Sequence, residues 1–139
     1  LAALLSGMAL ANAKLGAVHG FAGPIGGMFG APHGMLCARL LPFVFAENMQ
    51  ALADSKDHRR RFDQIGAWVT GDPASTGQDA LAWMLQTTER LQIPSLREHG
   101  VTAVDFPHII SAAKNASSMK GNPVTFNDEQ MTHILEQAL

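Results

Sequence analysis

Residues 16–34 read GAVHGFAGPIGGMFGAPHG, and the composition of this segment limits the folds that the chain can adopt. It carries no charged side chain, and it holds seven of the chain's 13 glycines, two prolines and two histidines. With its flanking residues it forms an uncharged run, 15–38, that is long enough to cross a bilayer as one helix. Proline and repeated glycine would break such a helix, and imidazole rings are costly in lipid. The sequence therefore predicts a break between buried helices here, and no membrane span.

The composition is that of one globular domain. The chain has 139 residues, of which 47% are hydrophobic and 16% charged, so it can bury a core of its own and is unlike a disordered segment. A total of 10 Lys and Arg against 12 Asp and Glu gives a formal net charge of -2, which argues against nucleic acid as a partner. The single cysteine, Cys37, cannot form an internal disulfide, so we expect a reducing, cytoplasmic compartment.

Charge is distributed unevenly along the chain. Lys14 and Arg39 are the only charged side chains in residues 1–46, and every acidic residue lies at Glu47 or beyond. We therefore expect the first third of the chain to be buried. The opening residues are apolar and helical in character, and no Ser, Thr, Asp or Asn precedes them as a helix cap. A helix that starts in this way indicates a fragment, truncated at its N-terminus, of a longer protein.

The residues that begin and end the apolar segments are those typical of helix ends throughout the chain. No two segments of alternating apolar and polar residues are joined by a hairpin turn. We predict an all-α fold. A first helix is expected over residues 1–18, followed by a glycine-rich break and by a second helix from Pro32 that Pro42 would kink or end. Further helices are expected over residues 43–53, 59–68, 79–91, 105–113 and 127–135.

His19 and His33 are the only side chains in the uncharged run that ordinarily titrate near neutral pH. A straight helix would hold residues fourteen positions apart at about 21 Å, whereas two ligands of one metal ion have donor atoms about 3 to 4 Å apart. The chain would have to turn back between them, and the glycines and prolines from Pro24 to Pro32 permit this. The spacing alone leaves two alternatives open, a metal site and a pair of ordinary core histidines.

The other reactive side chains have structural explanations. His58, His108 and His133 have no partner at ligand spacing, and His99, beside Gly100, is typical of a helix C-terminus, where a positive charge is favourable. We do not expect any of the four to bind metal. Cys37 lies on a predicted apolar helix, so we expect a small buried side chain and not a nucleophile. The sequence contains no Ser-His-Asp set and no phosphate-binding glycine loop. No catalytic or nucleotide-binding residue is therefore assigned.

The glycine-rich segment resembles part of a known family. The runs GAVH at 16–19, PIGGMFGAPHG at 24–34 and LLP at 40–42 resemble the second signature region of the iron-containing (group III) alcohol dehydrogenase family. The ending MKGNP at 119–123 is similar to the usual ending of that family, and the resemblance covers essentially all 139 residues. It implies that residues 1–139 are the helical, dehydroquinate synthase-like C-terminal domain of a two-domain α/β + α dehydrogenase. The N-terminal nucleotide-binding domain of that enzyme would be absent from this chain.

The resemblance also implies a metal site. In that family an Asp and three His hold a divalent cation, iron or sometimes zinc, and the last two histidines are fourteen residues apart. His19 and His33 match those two, so the resemblance implies that both are metal ligands. The Asp and the other His would come from a preceding segment, which leaves half of a metal site here. The implied cofactors are Fe2+ or Zn2+ with NAD or NADP, and the residues favour neither choice in either pair.

The function implied by the resemblance is hydride transfer between a nicotinamide and a metal-bound alcohol or carbonyl. The parent protein would be an oxidoreductase, an NAD(P)-dependent alcohol dehydrogenase or aldehyde reductase acting on small alcohols or aldehydes, and this chain alone would be inactive. Relatives are commonly dimers or larger, so a homo-oligomer is expected. Maleylacetate reductase and vicinal-diol or lactaldehyde reductases are nearby alternatives. A non-catalytic helical interaction module is an alternative from another class.

One position departs from the family pattern. Many relatives carry another histidine four residues after the first of the two ligands, near the nicotinamide, and this chain has Gly23 there. A proton-relay role of that histidine therefore does not transfer to this chain. We expect either that protons pass through solvent or the nucleotide ribose, or that the vacated space admits a bulkier substrate.

Overall fold

The computed structural model describes all 139 residues, and every regular element in it is a helix. The prediction of an all-α fold is confirmed. The seven α-helices are α1 (Ala2–Asn12), α2 (Ala17–Phe29), α3 (His33–Ala51), α4 (Lys56–Thr70), α5 (Gly77–Arg90), α6 (Phe106–Asn115) and α7 (Asp128–Ala138). Short 3-10 turns lie at Arg97–His99, Ala103–Asp105 and Ser117–Gly121. None of the helices is both long enough and apolar enough to span a membrane.

The principal core lies between α2, α3, α6 and α7. Apolar residues recur every three or four positions in these helices, so each helix turns one apolar face inward. Full burial of one large apolar side chain stabilises the fold by about 1.5 to 3 kcal/mol. The fully buried members include Phe21, Ile25, Leu36, Leu40, Leu96, Ile109, Met131, Ile134 and Leu135.

A second, smaller core joins α4 and α5 to the far end of α3. Its buried members are Phe45, Ala80 and Met84. Phe45 of α3 packs edge-on against Phe62 of α4, with the ring centroids 5.1 Å apart. Helices α4 and α5 approach closely at Gly66, where an added Cβ would clash with the carbonyl oxygen of Thr76. Only glycine fits at that crossing.

Helix α1 lies outside both cores. None of its residues is buried. Five apolar side chains at this end of the chain are each more than half exposed, namely Leu1, Leu4, Leu5, Met8 and Leu10. The expectation that the whole first third of the chain is buried is therefore wrong for α1, and burial in this third begins at Ala17.

The predicted helix over residues 1–18 is interrupted. Helix α1 ends at Asn12, the backbone becomes extended at Ala13, and α2 begins only at Ala17. Gly121 lies against the link between the two helices, because an added Cβ there would clash with the carbonyl oxygen of Leu15. This close approach of a distant segment holds the link out of the helix, and the local residues give no sign of it.

The predicted break is confined to residues 30–32, because residues 17–29 of the glycine-rich segment form helix α2 with Pro24 inside it. Glycine favours helix poorly, and here tertiary burial compensates for that weakness. The inner face of α2 is fully buried, with Phe21 at its centre. At Gly20 the missing side chain lets Met119 pack directly on the helix, since an added Cβ would lie 2.7 Å from the Met119 Cε.

The chain reverses after α2, over residues 30–32. Gly30 ends α2 in the left-handed conformation, with φ 67°, which glycine adopts without steric cost. Pro32 is the cap residue of α3, which confirms the predicted start of the second helix. Helix α3 then continues through the buried Pro42, so the alternative in which Pro42 ends the helix is wrong.

One polar side chain ties three parts of the fold together. The side-chain oxygen of Asn122 accepts hydrogen bonds from the backbone N–H of Ala17 (3.2 Å) and from the side-chain amide of Asn48 (3.1 Å). The Asn122 amide donates in return to the side-chain oxygen of Asn48 (2.8 Å) and to the carbonyl of Val124 (2.9 Å). The N–H of Ala17 is one of the first-turn donors that have no partner within the helix. Asn122 thus joins the start of α2 to α3 and to the closing loop.

We expect Asn122→Ala to lower the free energy of unfolding by about 2 to 3 kcal/mol, because polar groups of Ala17 and Asn48 lose their partners. Urea unfolding followed by far-ultraviolet circular dichroism measures the change. Asn115→Ala is the matched control, since Asn115 is exposed and its side chain bonds to the carbonyl of Ser111. The control should cost less than about 0.5 kcal/mol. Equal losses in the two variants would show that Asn122 does not hold these parts together.

Candidate metal centre

His19 and His33 lie side by side. His19 is in the first turn of α2, and His33 is the first residue of α3. Their imidazole ring centroids are 5.3 Å apart, and the ring planes are inclined at 50°. A continuous helix would hold the two residues about 21 Å apart. The prediction that the chain turns back between the two histidines is therefore confirmed.

Fewer residues make the reversal than the sequence predicts. Pro24 and Gly27 lie inside α2, and only residues 30–32 between the two histidines are outside a helix. The returning chain passes beside Gly26, where an added Cβ would lie 3.5 Å from the carbonyl oxygen of Ala31. The turn itself therefore belongs to residues 30–32.

A third donor atom joins the two imidazoles. Cys37 follows His33 by one turn of α3, so both project from the same face of the helix. The Cys37 Sγ lies 3.5 Å from Nε2 of His33, and one donor atom from each of His19, His33 and Cys37 lies within 4.8 Å of the others. The expectation of a buried core cysteine is incomplete, because the half-buried thiol both packs against the core and faces the histidines. The four-residue spacing from His33 is the signal in the sequence that points to this contact.

The surroundings of His19 favour its neutral form. Burial, and after it the neighbouring imidazole of His33, lower the pKa of His19 below the ordinary 6.5, because both disfavour a charged ring. Burial also raises the pKa of the Cys37 thiol. A neutral imidazole offers its lone pair to a metal ion. At neutral pH the His19 ring is therefore ready to bind a cation without first losing a proton.

The donor set fits a divalent transition-metal ion. Imidazole nitrogen binds both iron and zinc, and two nitrogen ligands of one ion lie about 3 to 4 Å apart. One donor nitrogen of His19 and one of His33 lie within 4.8 Å of each other, which is close to that separation. These two residues can therefore hold one cation between them.

A cavity of about 420 Å³ opens beside His19 and Cys37. Its remaining wall comes from the start of α2, the middle of α3 and the closing loop, and includes Ala17, Val18, Leu41, Val44, Phe45, Asn48 and Asn122. The wall is mostly apolar, with a few polar groups at defined positions, which is the character of a small-molecule site. The amides that tie the fold together thus also border this cavity.

The other histidines lie outside the cluster of donor atoms. Nδ1 of His58 lies 2.7 Å from the hydroxyl oxygen of Ser55, at the start of α4. His108 and His133 are exposed on α6 and α7. His99 lies in a 3-10 turn after α5, and its buried Nε2 has no hydrogen-bond partner. The structure therefore brings together only the two histidines of the glycine-rich segment.

Comparison with known proteins shows which family the chain belongs to. A sequence profile of the Fe-containing alcohol dehydrogenase family, C-terminal, matches residues 1–139. The chain belongs to the iron-containing alcohol dehydrogenase family. This confirms the resemblance carried by the glycine-rich segment and by the ending of the chain.

Members of the iron-containing alcohol dehydrogenase family align with nearly the whole chain. 1,3-Propanediol dehydrogenase of Klebsiella pneumoniae is 33% identical over 139 residues, which are 99% of this chain and 35% of that protein. Alcohol dehydrogenase 4 of Saccharomyces cerevisiae is 33% identical over 135 residues, which are 96% of this chain and 34% of that protein. The solved structure of an alcohol dehydrogenase from Oenococcus oeni superimposes with a TM-score of 0.79 at 33% identity, covering 97% of this chain and 35% of that one. The chain spans about a third of the length of the curated relatives it matches.

We expect His19 to titrate below pH 6.5, because burial and the imidazole of His33 both disfavour its charged form. The unfolded chain then binds the proton more readily than the folded chain, so the contribution of His19 to stability is present above pH 6.5 and is lost on acidification. An NMR titration of the imidazole signals measures the pKa, with His19→Gln identifying the His19 signal. His33→Gln should raise the pKa of His19 only in part, because burial is the larger cause. A His19 pKa at or above 6.5 would contradict this account of the site.

Proposed function

We propose that this chain is the helical, metal-holding domain of an NAD(P)-dependent alcohol dehydrogenase or aldehyde reductase. The observation that carries the proposal is the meeting of His19 and His33, with ring centroids 5.3 Å apart, in a chain of the iron-containing alcohol dehydrogenase family. The two imidazoles are ligands of one divalent cation, Fe2+ or Zn2+. An Asp and a further His outside residues 1–139 complete the ligand set. A separate N-terminal domain of the same enzyme binds most of the NAD or NADP.

The residues of this chain position the ion and shape the space beside it. When bound, the cation would supply Lewis acidity toward the oxygen of the alcohol or carbonyl substrate. His19 offers a neutral ring, and His33 is fixed because it begins a helix whose inner face is anchored in the principal core. The apolar side chains of Val18 and Leu41 line the cavity beside His19 and suit the carbon skeleton of a small substrate.

A small neutral alcohol or aldehyde is the substrate class that the cavity favours. The wall contains no Lys or Arg, and an acid carrying several carboxylates would call for such cations. The name of the relative from Klebsiella pneumoniae, 1,3-propanediol dehydrogenase, supports the same choice.

A non-catalytic helical module is the alternative from another class. The exposed apolar face of α1 favours it, because such a surface suits association with another protein. A non-catalytic module does not explain why two imidazoles meet beside a cavity, so we prefer the enzyme. In our proposal α1 contacts another part of a homo-oligomeric enzyme, a dimer or larger. The single cysteine suits a reducing, cytoplasmic compartment.

We expect His19→Ala and His33→Ala each to reduce metal content and hydride transfer at least about 100-fold in the complete enzyme that carries this chain, because each removes a direct ligand. Elemental analysis of the purified variants and NAD(P)H absorbance with a short-chain alcohol measure the two effects. His133→Ala is the matched control, since His133 is exposed on α7 and outside the cluster. A His33→Ala enzyme with full metal content and activity would remove the proposal.

We expect Gly23→His to change the pH dependence of the rate in the complete enzyme. Gly23 lies one turn after His19 on α2, so an imidazole there would project from the same face. The position is exposed, and an added Cβ would meet nothing within 4 Å. The new group should either supply a proton relay or narrow the range of accepted substrates. Unchanged profiles of rate against pH and unchanged substrate range would remove both ideas about the vacated space.

A further inference from the structure

Cys37 lies where a third ligand of the cation would lie. His33 and Cys37 are four residues apart on α3, and this spacing places two side chains on one face of a helix. His19 reaches the same point from α2, and one donor atom of each residue lies within 4.8 Å of the others. The three donors therefore converge from two helices that the principal core holds against each other.

The separation of the Cys37 and His33 donor atoms is that of ligands on one ion. A zinc ion binds imidazole nitrogen at about 2.0 Å and thiolate sulfur at about 2.3 Å, so at a tetrahedral angle the nitrogen and the sulfur are about 3.5 Å apart. Nε2 of His33 and Sγ of Cys37 are 3.5 Å apart. An ion placed between them needs little movement of either side chain.

We propose that Cys37 is a third ligand, through its thiolate, of the cation held by His19 and His33. This inference rests on the proposed function, because it concerns the same ion. Binding breaks the S–H bond of the thiol, the proton passes to solvent, and the sulfur forms a bond to the metal without any change of oxidation state. The pair of imidazoles becomes an N,N,S donor set supplied by this chain alone.

A thiolate changes which metal the site prefers. A site with only nitrogen and oxygen donors has no clear preference between iron and zinc that its ligand types would explain. Thiolate is a soft donor and favours zinc, which also binds such ligands more tightly than Fe2+ does. Zinc accommodates four or five ligands, so a thiolate can be added to a set completed from outside the chain. Cys37 therefore directs the site toward Zn2+.

Cobalt is the probe for this inference, because Co2+ adopts zinc sites and reports its ligands by absorption. Cys37 is the only cysteine of the chain, so a thiolate-to-cobalt charge-transfer band in the near ultraviolet reports on that residue alone. We expect Co2+ added anaerobically to the full 139-residue chain to produce this band. Cys37→Ser and Cys37→Ala should abolish the band and weaken Co2+ binding at least about 10-fold. His133→Gln should change neither, and circular dichroism establishes that each variant is folded.

The outcomes separate this inference from the proposed function. Co2+ binding that is lost in His19→Ala but shows no sulfur band in the unaltered chain would overturn the role of Cys37 and leave the histidine pair in place. Co2+ binding that is the same in the unaltered chain and in His19→Ala would overturn the metal site itself. A sulfur band whose absorbance per chain rises with protein concentration would come from thiolates of two chains, and it too would overturn the inference.

Discussion

The hydrogen bonds of Asn122 are the interaction on which the site depends. They hold the N–H of Ala17 and the amide of Asn48, and therefore fix the first turn of α2 relative to α3. His19 follows Ala17 by two residues, and His33 begins the helix that carries Asn48. A shift of the first turn relative to α3 would change the distance between the two imidazoles. The closing segment that supplies Asn122 also packs on Gly20 through Met119. Contacts from more than 80 positions away in the chain thus set the geometry of the histidine pair.

The elements that the sequence predicts well are those whose signals are local. Pro32 starts α3 as expected, and Asn127 caps α7 by accepting a hydrogen bond from the backbone of Gln130. Helix α2 is missed because its own residues argue against a helix, and because its stability comes from burial of residues such as Phe21 against partners distant in the sequence. The end of α1 is missed for a similar reason, since Gly121 holds the link after it.

The candidate site is predictable only in part. The spacing of His19 and His33 requires a reversal of the chain if they are to meet, and the family resemblance names both positions. The distance of 5.3 Å between the ring centroids depends on how α2 and α3 pack together. The spacing of apolar residues in the sequence does not predict that packing. The four-residue spacing of His33 and Cys37 is visible in the sequence. That the thiol faces His19 follows only from the placement of α2 beside α3.

Helix α3 is the element that the two cores share, and this division has a consequence for motion. Its first half contributes Leu36 and Leu40 to a cluster of 19 buried residues, whereas Phe45 belongs to a cluster of 3. Proteins open locally in cooperative units, and a unit with fewer buried contacts opens at lower free energy. The hairpin of α4 and α5 is such a unit. We expect the backbone amides of α4 and α5 to exchange with solvent while the end of α3 that bears His33 stays folded. Local opening of α4 and α5 would then leave the positions of the two histidines unchanged.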